Sequence, residues 1–146
     1  MKLTSRFLAL LLFILVLLAV SQATFAQTTN PAVTQLNIGR TICVSGWSAT
    51  VRPATTYTNG IKRKLLRQAG IPLATGSAYE LDHRIPISSG GAPKDPANLA
   101  LQPWDGPKGA KAKDAIELRV HKLICAGRIT LATGQACFRN DWTRCP

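Results

Sequence analysis

Residues 79–102 read YELDHRIPISSGGAPKDPANLALQ, and the rest of the chain is organised around this stretch. Its first residues alternate, with Tyr79 and Leu81 apolar and Glu80 and Asp82 acidic, which is typical of a half-buried strand. Residues 88–97 contain two glycines and two prolines and indicate a turn region. A second short apolar run then opens with Asn98-Leu99. The stretch therefore predicts two short strands joined by a turn, with the pair Asp82-His83 at the end of the first strand.

The residues after this stretch predict a connector and two helices. Pro107 suits the first turn of a helix and Gly127 suits its end. The apolar residues of this segment follow the i, i+4, i+7, i+8 spacing of a buried stripe: Ile116, Val120, Leu123 and Ile124. A neighbouring face carries three polar residues whose spacing lets them converge: Asp114, Glu117 and His121. Residues 130–140 predict a last short helix that begins at Thr130.

The residues before the central stretch predict an extended segment and one helix. Residues 35–52 are mixed apolar and threonine-rich, which indicates extended structure ended by Pro53. Buried positions are expected at Ile42, Val44 and Trp47. Thr58 or Asn59 could cap a helix that runs to about Ala69 and stops at Gly70. The basic face of this helix, with Lys62, Arg63, Lys64 and Arg67, has two interpretations of equal weight, a solvated surface or a phosphate-binding one.

The length of 146 residues suits a single domain, because two separate cores would each be too small. Lys2 and Arg6 precede an uninterrupted apolar run over residues 7–20, and small residues follow, which is the order of a secretory signal peptide over residues 1–26. An uncleaved anchor is the alternative, but the run is shorter than the roughly 20 residues that span a bilayer. Residues 27–39, rich in Thr, Gln and Asn, are expected to be a disordered tail before a domain over residues 40–146.

The net charge and the cysteines narrow the possible classes of protein further. Removal of Lys2 and Arg6 lowers the basic count from 18 to 16 against 7 acids, so the mature charge is about +9. Such a domain suits a polyanion: nucleic acid, anionic lipid or an acidic cell-wall polymer. Four cysteines in an exported chain favour two disulfides, and three pairings are possible. No Cys-x-x-Cys pair occurs, which disfavours a structural zinc site.

Several short segments resemble a family of small bacterial HNH-like proteins, and the resemblance covers residues 41–142. The matching segments are Cys43-Val-Ser-Gly-Trp, Val51-Arg-Pro, Tyr57-Thr-Asn, Glu80-Leu-Asp-His-Arg-Ile-Pro-Ile, Gly90-Gly91, Asn98-Leu99, Lys113-Asp114 to Glu117, Cys125-Ala-Gly and Asp141-Trp142. The resemblance implies an α+β fold with a small ββα-metal core and flanking helices, stapled by disulfides. It favours a bond between Cys43 and Cys125, and proximity favours one between Cys137 and Cys145.

The resemblance also implies an activity, that of an exported, metal-dependent endonuclease with low sequence specificity. In a ββα-metal site the His after Asp is the general base, the Asp binds the metal and the Asn braces the loop. Carried over, these roles fall to His83, Asp82 and Asn98. Mg²⁺ is the expected metal, because it prefers oxygen ligands together with substrate phosphate and water.

The helix ligand departs from the family pattern. Residues 108–113 offer neither the His nor the Asn that many HNH proteins place early in the helix. Asp114 is the nearest oxygen donor and is therefore the expected second metal ligand. Glu117 and His121 would support the ligands, and Lys113 could do so or contact the phosphate.

Nucleic acid is the expected partner, with DNA favoured over RNA, and the protein is expected to be a secreted or periplasmic monomer without stable membrane insertion after cleavage of the signal peptide. Contacts should go mainly to phosphates, because nothing resembles a base-reading module. The candidate phosphate-binding residues are Lys62, Arg63, Arg67, Arg84, Lys108 and Lys111. Trp104 and Trp142 are interpreted as core anchors in preference to base-stacking platforms.

Two other classes of function stay open. A non-catalytic, secreted polyanion-binding protein with a degenerate HNH fold would explain the missing helix ligand, but it would not need the pair Asp82-His83. A disulfide-rich antimicrobial or cell-wall protein would explain the charge and the cysteines, but not the order Asp-His then Asn. An isolated Asp-His pair carries little information, since histidine often has a structural role.

Overall fold

A computed structural model describes residues 28–146 of the chain. Within this range the helices are α1 (Trp47–Val51), α2 (Thr55–Gln68), α3 (Ala110–Cys125) and α4 (Leu131–Asn140), and the strands are β1 (Tyr79–His83) and β2 (Leu99–Pro103). Short 3-10 turns cover Ile38–Arg40, Leu73–Ala78, Ile87–Ser89, Pro96–Asn98 and Trp142–Arg144. The fold is therefore α+β, as the sequence predicted. The proposed signal peptide lies outside the described residues.

The two strands form an antiparallel sheet, which confirms the predicted strand pair. The register runs from Tyr79 opposite Pro103 to His83 opposite Leu99. β2 begins one residue later than expected, because Asn98 closes the 3-10 turn that precedes it. The sheet places Asp82 and His83 at the end of β1, where the connection to β2 begins.

The main apolar core is formed largely by α3, α4, the loop after β1 and the segment before α1. Its buried members are Val33, Ile42, Ile85, Val120, Ile124, Leu131, Phe138 and Cys145. The predicted stripe on α3 is present, with Val120 and Ile124 fully buried and Ile116 and Leu123 half-buried. Gly134 lets α4 pack closely, since a Cβ there would lie 2.6 Å from Ile124 Cδ1. Trp142 is partly buried against this core, and Trp104 is half-buried.

Two helix starts were predicted wrongly, whereas the helix ends were correct. α2 begins at Thr55, and Thr58 lies inside its first turn with Oγ1 donating to the Thr55 carbonyl, so it is not the cap. α3 begins at Ala110 instead of near Pro107, because the Gly109 amide first closes a turn onto the Gly106 carbonyl. Gly70 and Gly127 follow α2 and α3 with φ of 68°, a left-handed conformation that glycine adopts at no steric cost. Thr130 caps α4, as expected.

The segment before α2 also differs from the prediction. Residues 28–39 were expected to be disordered, yet Thr29 bridges to Gly91, Val33 is buried and Gln35 Oε1 accepts a hydrogen bond of 2.7 Å from the Leu131 amide. Residues 35–52 contain a 3-10 turn and α1 instead of an extended strand. Val44 is 45% exposed, not buried. The conformation of these residues depends on contacts with residues distant in sequence, which cannot be predicted from local composition.

Two disulfides connect Cys43 with Cys125 and Cys137 with Cys145, which confirms the expected pairing. The first joins the segment before α1 to the last residue of α3, and the second joins α4 to the C-terminal turn. Disulfides of this kind persist in an oxidising compartment, as found outside the cell or in the periplasm. None of the helices within residues 28–146 combines the length and the apolarity needed to cross a membrane.

Candidate active site at the end of strand β1

Asn98 fastens the loop that follows β1. Its Oδ1 accepts from the Ile85 amide at 2.9 Å, and its Nδ2 donates to the carbonyls of Ile85 and Ala92 at 2.9 and 3.0 Å. The side chain is fully buried, so its amide exchanges hydrogen bonds only with backbone that would otherwise lack partners. Asn98 therefore has the bracing geometry that the sequence suggested.

The Gly-Gly pair supports this brace for two different reasons. Gly90 has a φ of 75° and closes the 3-10 turn Ile87–Ser89. Gly91 is needed for space, because a Cβ there would lie 1.8 Å from the Ile85 carbonyl oxygen and 2.9 Å from Asn98 Nδ2. The sequence indicated a turn region here. Positive φ explains the glycine at position 90, while close backbone approach explains Gly91.

His83 is buried at the end of β1, and its ring is fixed by one backbone contact. Nε2 lies 3.0 Å from the Pro93 carbonyl oxygen. A carbonyl can only accept a hydrogen bond, so Nε2 carries the proton and, in a neutral imidazole, the lone pair is on Nδ1. Burial lowers the pKa of His83, although the Pro93 contact and the charge of Asp82 oppose that shift. The imidazole is therefore neutral at neutral pH.

The Nδ1 atom of His83 remains available to a ligand. Within residues 28–146 it makes no hydrogen bond, and Ser89 Oγ is the one buried side-chain nitrogen or oxygen atom that lacks a partner there. Nδ1 must therefore retain contact with solvent. A neutral, accessible imidazole nitrogen with its other nitrogen fixed is the arrangement that a general base requires.

Lys113 lies at the centre of the site and contacts the expected ligand Asp82, which is one of the two roles that the sequence analysis gave it; its burial was not predicted. Its Nζ donates to Asp82 Oδ2 at 2.8 Å, to the His83 carbonyl at 2.8 Å and to Glu117 Oε1. The Lys113 side chain is 2% exposed, and Nζ also lies 5.7 Å from the centre of the Phe138 ring. The i, i+4 spacing of Lys113 and Glu117 on α3 was the available signal for this pair.

The charges of this cluster depend on one another. Burial by itself would lower the pKa of Lys113, but the carboxylates of Glu117 and Asp82 outweigh it and raise the pKa, so the ammonium stays protonated. Burial raises the pKa of Glu117 to about 7, against the attraction of Lys113. Burial and the negative charges of Asp82 and Asp114 raise the pKa of Glu80. Acidic groups are thus crowded here around one buried cation.

The arrangement does not fit the expected Mg²⁺ site. Both carboxylate oxygens of Asp82 are engaged, Oδ1 by the His83 amide at 2.6 Å and Oδ2 by Lys113. Asp114 is exposed and lines a narrow cleft of about 100 Å³ together with Glu80 and Asp82. Within residues 28–146 there is no group of three His, Cys, Asp or Glu side chains placed to hold a metal ion. A hard cation normally needs several oxygen ligands, so Asp82 and Asp114 do not form its binding site as they stand.

The predicted convergence holds for Asp114 and Glu117, which line the same small cleft beside Asp82, but it does not include His121. His121 Nδ1 lies 2.9 Å from the Ser88 carbonyl oxygen, in a different cleft that is lined by Cys43 and Leu118. Glu117 also contacts Lys113, one turn earlier on α3. The long side chain of Lys113 extends to Asp82 and Glu117, and spacing along the helix does not predict this contact with Asp82. His121 is therefore not part of the site.

His83 lines two larger clefts, and basic side chains line both. One, of about 400 Å³, contains Asp82 with Arg84, Lys108 and Arg139. The other, of about 390 Å³, contains Glu80 and Trp104 with Arg52 and Lys62. Arg52 and Arg139 were not among the predicted phosphate-binding residues, because their sequence neighbourhoods carry no basic pattern.

The remaining candidate basic residues lie away from these clefts. Arg63 and Arg67 are exposed on α2, and Lys111 is exposed and pairs with Asp105 at 2.6 Å. An exposed pair of this kind contributes little to stability. The structure therefore brings Arg84, Lys108 and Lys62 to the clefts beside His83, and does not bring Arg63, Arg67 or Lys111 there.

Fold and site together define a class of protein: a small α+β domain that is closed by two disulfides. Its strand pair carries a neutral histidine beside one buried lysine that is paired with carboxylates. Comparison of the chain with family models, curated proteins and solved structures gives no match. An HNH-like core thus stays a prediction from the segments quoted from the sequence.

Proposed function

We propose that this protein is an exported endonuclease that hydrolyses phosphodiester bonds of nucleic acid with low sequence specificity, and that His83 is its general base. One observation carries the proposal: the His83 imidazole is neutral, held through Nε2 and without a hydrogen-bond partner at Nδ1 within residues 28–146, and His83 lines two basic clefts. A purely structural histidine has no need of an accessible lone pair. The family resemblance of residues 79–102 supports the same assignment.

The chemistry follows from these positions. Nδ1 of His83 takes a proton from a water molecule, the water oxygen attacks phosphorus, and the bond to the leaving oxygen breaks. The leaving oxygen is protonated by solvent. Negative charge that develops on the phosphorane is stabilised by nearby cations, for which Arg52 and Arg84 are the candidates from the two clefts. Such contacts address the backbone of the nucleic acid and leave base sequence unread.

The test is digestion of plasmid DNA and of a structured RNA by the purified, oxidised mature protein. Loss of a general base lowers the rate by about 10² to 10⁴, so His83→Ala should leave almost no cleavage. His121→Ala is the matched control, because it removes the other histidine of the chain, which lies outside the site. Full activity in the His83→Ala protein would refute the assignment.

A non-catalytic polyanion-binding protein is the second candidate. The observation that favours it is the ion pair between Lys113 and Asp82, which neutralises the carboxylate expected to bind the metal. The two candidates differ in the digestion assay. A binding protein would shift DNA in a gel without cutting it, and His83→Ala would leave that binding unchanged.

A further inference from the structure

The geometry points to Lys113 as a built-in cation that stands in this site where a ββα-metal core would hold a divalent ion. The unmodified protein accordingly binds no divalent cation at Asp82, and its activity does not depend on one. The statement about activity rests on the proposed nuclease function, whereas the statement about metal binding stands without it.

The hydrogen bonds of Lys113 leave its ammonium group without a free donor. An ammonium group has three N–H donors and no acceptor. Each donor of Nζ has its own acceptor, namely Asp82 Oδ2, the His83 carbonyl and Glu117 Oε1. These are two carboxylates and a backbone carbonyl, oxygen donors of the kind that a hard cation selects. The site is thus already complete around a cation that belongs to the chain.

The burial of Lys113 opposes its replacement by a metal ion. A lysine that is 1% exposed keeps its charge only if the surrounding groups compensate for lost hydration. Asp82 and Glu117 supply that compensation, and the Phe138 ring faces Nζ at 5.7 Å. A metal ion at Asp82 would have to expel Lys113 from these partners and leave a buried ammonium without acceptors. Removal of one partner from a buried ion pair is strongly destabilising, so metal binding is opposed.

The function of Lys113 follows from the full occupancy of its three N–H donors. With its donors occupied, Nζ has none left for a phosphate oxygen, so Lys113 is a positioning residue and not a catalytic one. It holds the end of strand β1 through the His83 carbonyl, and it orients Asp82, whose Oδ1 accepts from the His83 amide. Charge stabilisation at the phosphate then depends on side chains that line the clefts, such as Arg84 and Lys108.

The experiment measures Mn²⁺ binding to the oxidised mature protein by isothermal titration calorimetry and by the electron paramagnetic resonance signal of free Mn²⁺. We expect no Mn²⁺ binding that depends on Asp82. One Mn²⁺ bound per chain, with loss of that binding in Asp82→Asn, would overturn the inference. Absence of binding, or binding that Asp82→Asn leaves unchanged, supports it. Because the readout is binding alone, an inactive protein would refute the proposed nuclease without affecting this result.

A second variant tests the role of the charge itself. Lys113→Met keeps an unbranched apolar side chain but frees Asp82, Glu117 and the His83 carbonyl for another cation. We expect this variant to gain one bound Mn²⁺ and to show a melting temperature that rises when Mn²⁺ is added, neither of which the unmodified protein shows. A merely structural lysine would leave a destabilised variant that Mn²⁺ does not stabilise, and that result would contradict the inference. If Lys113→Met does not fold, the comparison of unmodified protein with Asp82→Asn decides the question.

Discussion

Asp82 and His83 are adjacent in β1 but make different contacts, because successive side chains of a strand point to opposite faces. Asp82 turns its carboxylate to Lys113 on α3, while His83 turns its ring to the Pro93 carbonyl and the clefts. Lys113 nonetheless contacts both residues, since it reaches the side chain of Asp82 and the backbone of His83. A change at any of these positions therefore affects its neighbours.

The first prediction concerns the brace. Asn98→Ala removes three hydrogen bonds and leaves the Ile85 amide and the Ile85 and Ala92 carbonyls without partners. At 1–3 kcal/mol for each unsatisfied buried group, we expect the free energy of unfolding to fall by about 3 kcal/mol or more, measured by urea denaturation. Asn140→Ala, at an exposed position, is the matched control and should change stability by less than about 0.5 kcal/mol. Equal stability of the two variants would contradict the bracing role.

The second prediction concerns the pH dependence that Glu117 confers. Its pKa rises from 4.5 in the unfolded chain to about 7 in the fold, because burial favours the neutral form. Stability from this group is therefore fully present below pH 4.5 and is lost as the pH rises through about 7. Over that interval the unfolding free energy of the unmodified protein should fall relative to Glu117→Gln, by up to about 3 kcal/mol.

Thermal unfolding followed by calorimetry at several pH values measures this difference. Asp114→Asn is the matched control, because it removes an exposed carboxylate from the same helix. The pH-dependent difference should be larger for Glu117→Gln than for Asp114→Asn. Parallel pH profiles for the unmodified protein and Glu117→Gln would show that Glu117 titrates alike in both states.

At the scale of elements, α3 is the part on which the site and the core both depend. One side of it carries Val120 and Ile124 into the core, its first turns carry Lys113 and Glu117 to the site, and its last residue, Cys125, is tied to Cys43. Anything that loosens the end of α3 should therefore affect its orientation against β1.

The third prediction compares the two disulfides. The chain-entropy model gives about 4.5 kcal/mol for the bond between Cys43 and Cys125, separated by 82 residues, and about 2.5 kcal/mol for the bond between Cys137 and Cys145, separated by 8. The paired replacement Cys43→Ala with Cys125→Ala should therefore lower the unfolding free energy more than Cys137→Ala with Cys145→Ala. Urea denaturation of the two variants measures the difference. A larger loss from the short loop would show that local packing, not loop closure, dominates.

At the scale of the whole molecule, positive charge is abundant, but only part of it lies near the candidate site. The chain has 18 basic and 7 acidic residues, and only some of its cations line the two clefts that border His83. Polyanions are attracted by the overall charge, whereas a phosphate is brought to the histidine by the cations in the clefts.

The fourth prediction separates these contributions. Arg84→Glu with Lys108→Glu should weaken binding to random-sequence duplex DNA and lower the slope of log K against log salt by about 2, since each phosphate contact contributes about 0.9. Arg63→Glu with Arg67→Glu is the charge-matched control on the exposed face of α2. We expect a smaller loss of affinity there, measured by fluorescence anisotropy. Equal losses would show that α2 belongs to the binding surface and would support the phosphate-binding interpretation of its basic face.

The sequence by itself determined the strand pair, the ends of α2 and α3, the cap of α4 and, by proximity, the bond between Cys137 and Cys145. These features depend on local rules: alternation along a strand, left-handed glycine at a helix end, and a side chain that caps nearby backbone. The family resemblance added the brace at Asn98 and the bond between Cys43 and Cys125, both of which are present in the fold, and the roles of Asp82 and His83, which stay predictions.

Only the tertiary structure decided what surrounds those residues. Lys113 is 31 residues from Asp82 in sequence, and no local sequence pattern predicts that its ammonium is buried between Asp82 and Glu117. The packing of residues 28–39 depends in the same way on contacts with Gly91 and Leu131. A charge becomes buried only when distant elements enclose it, so the lysine that occupies the expected metal position could be recognised only from the folded chain.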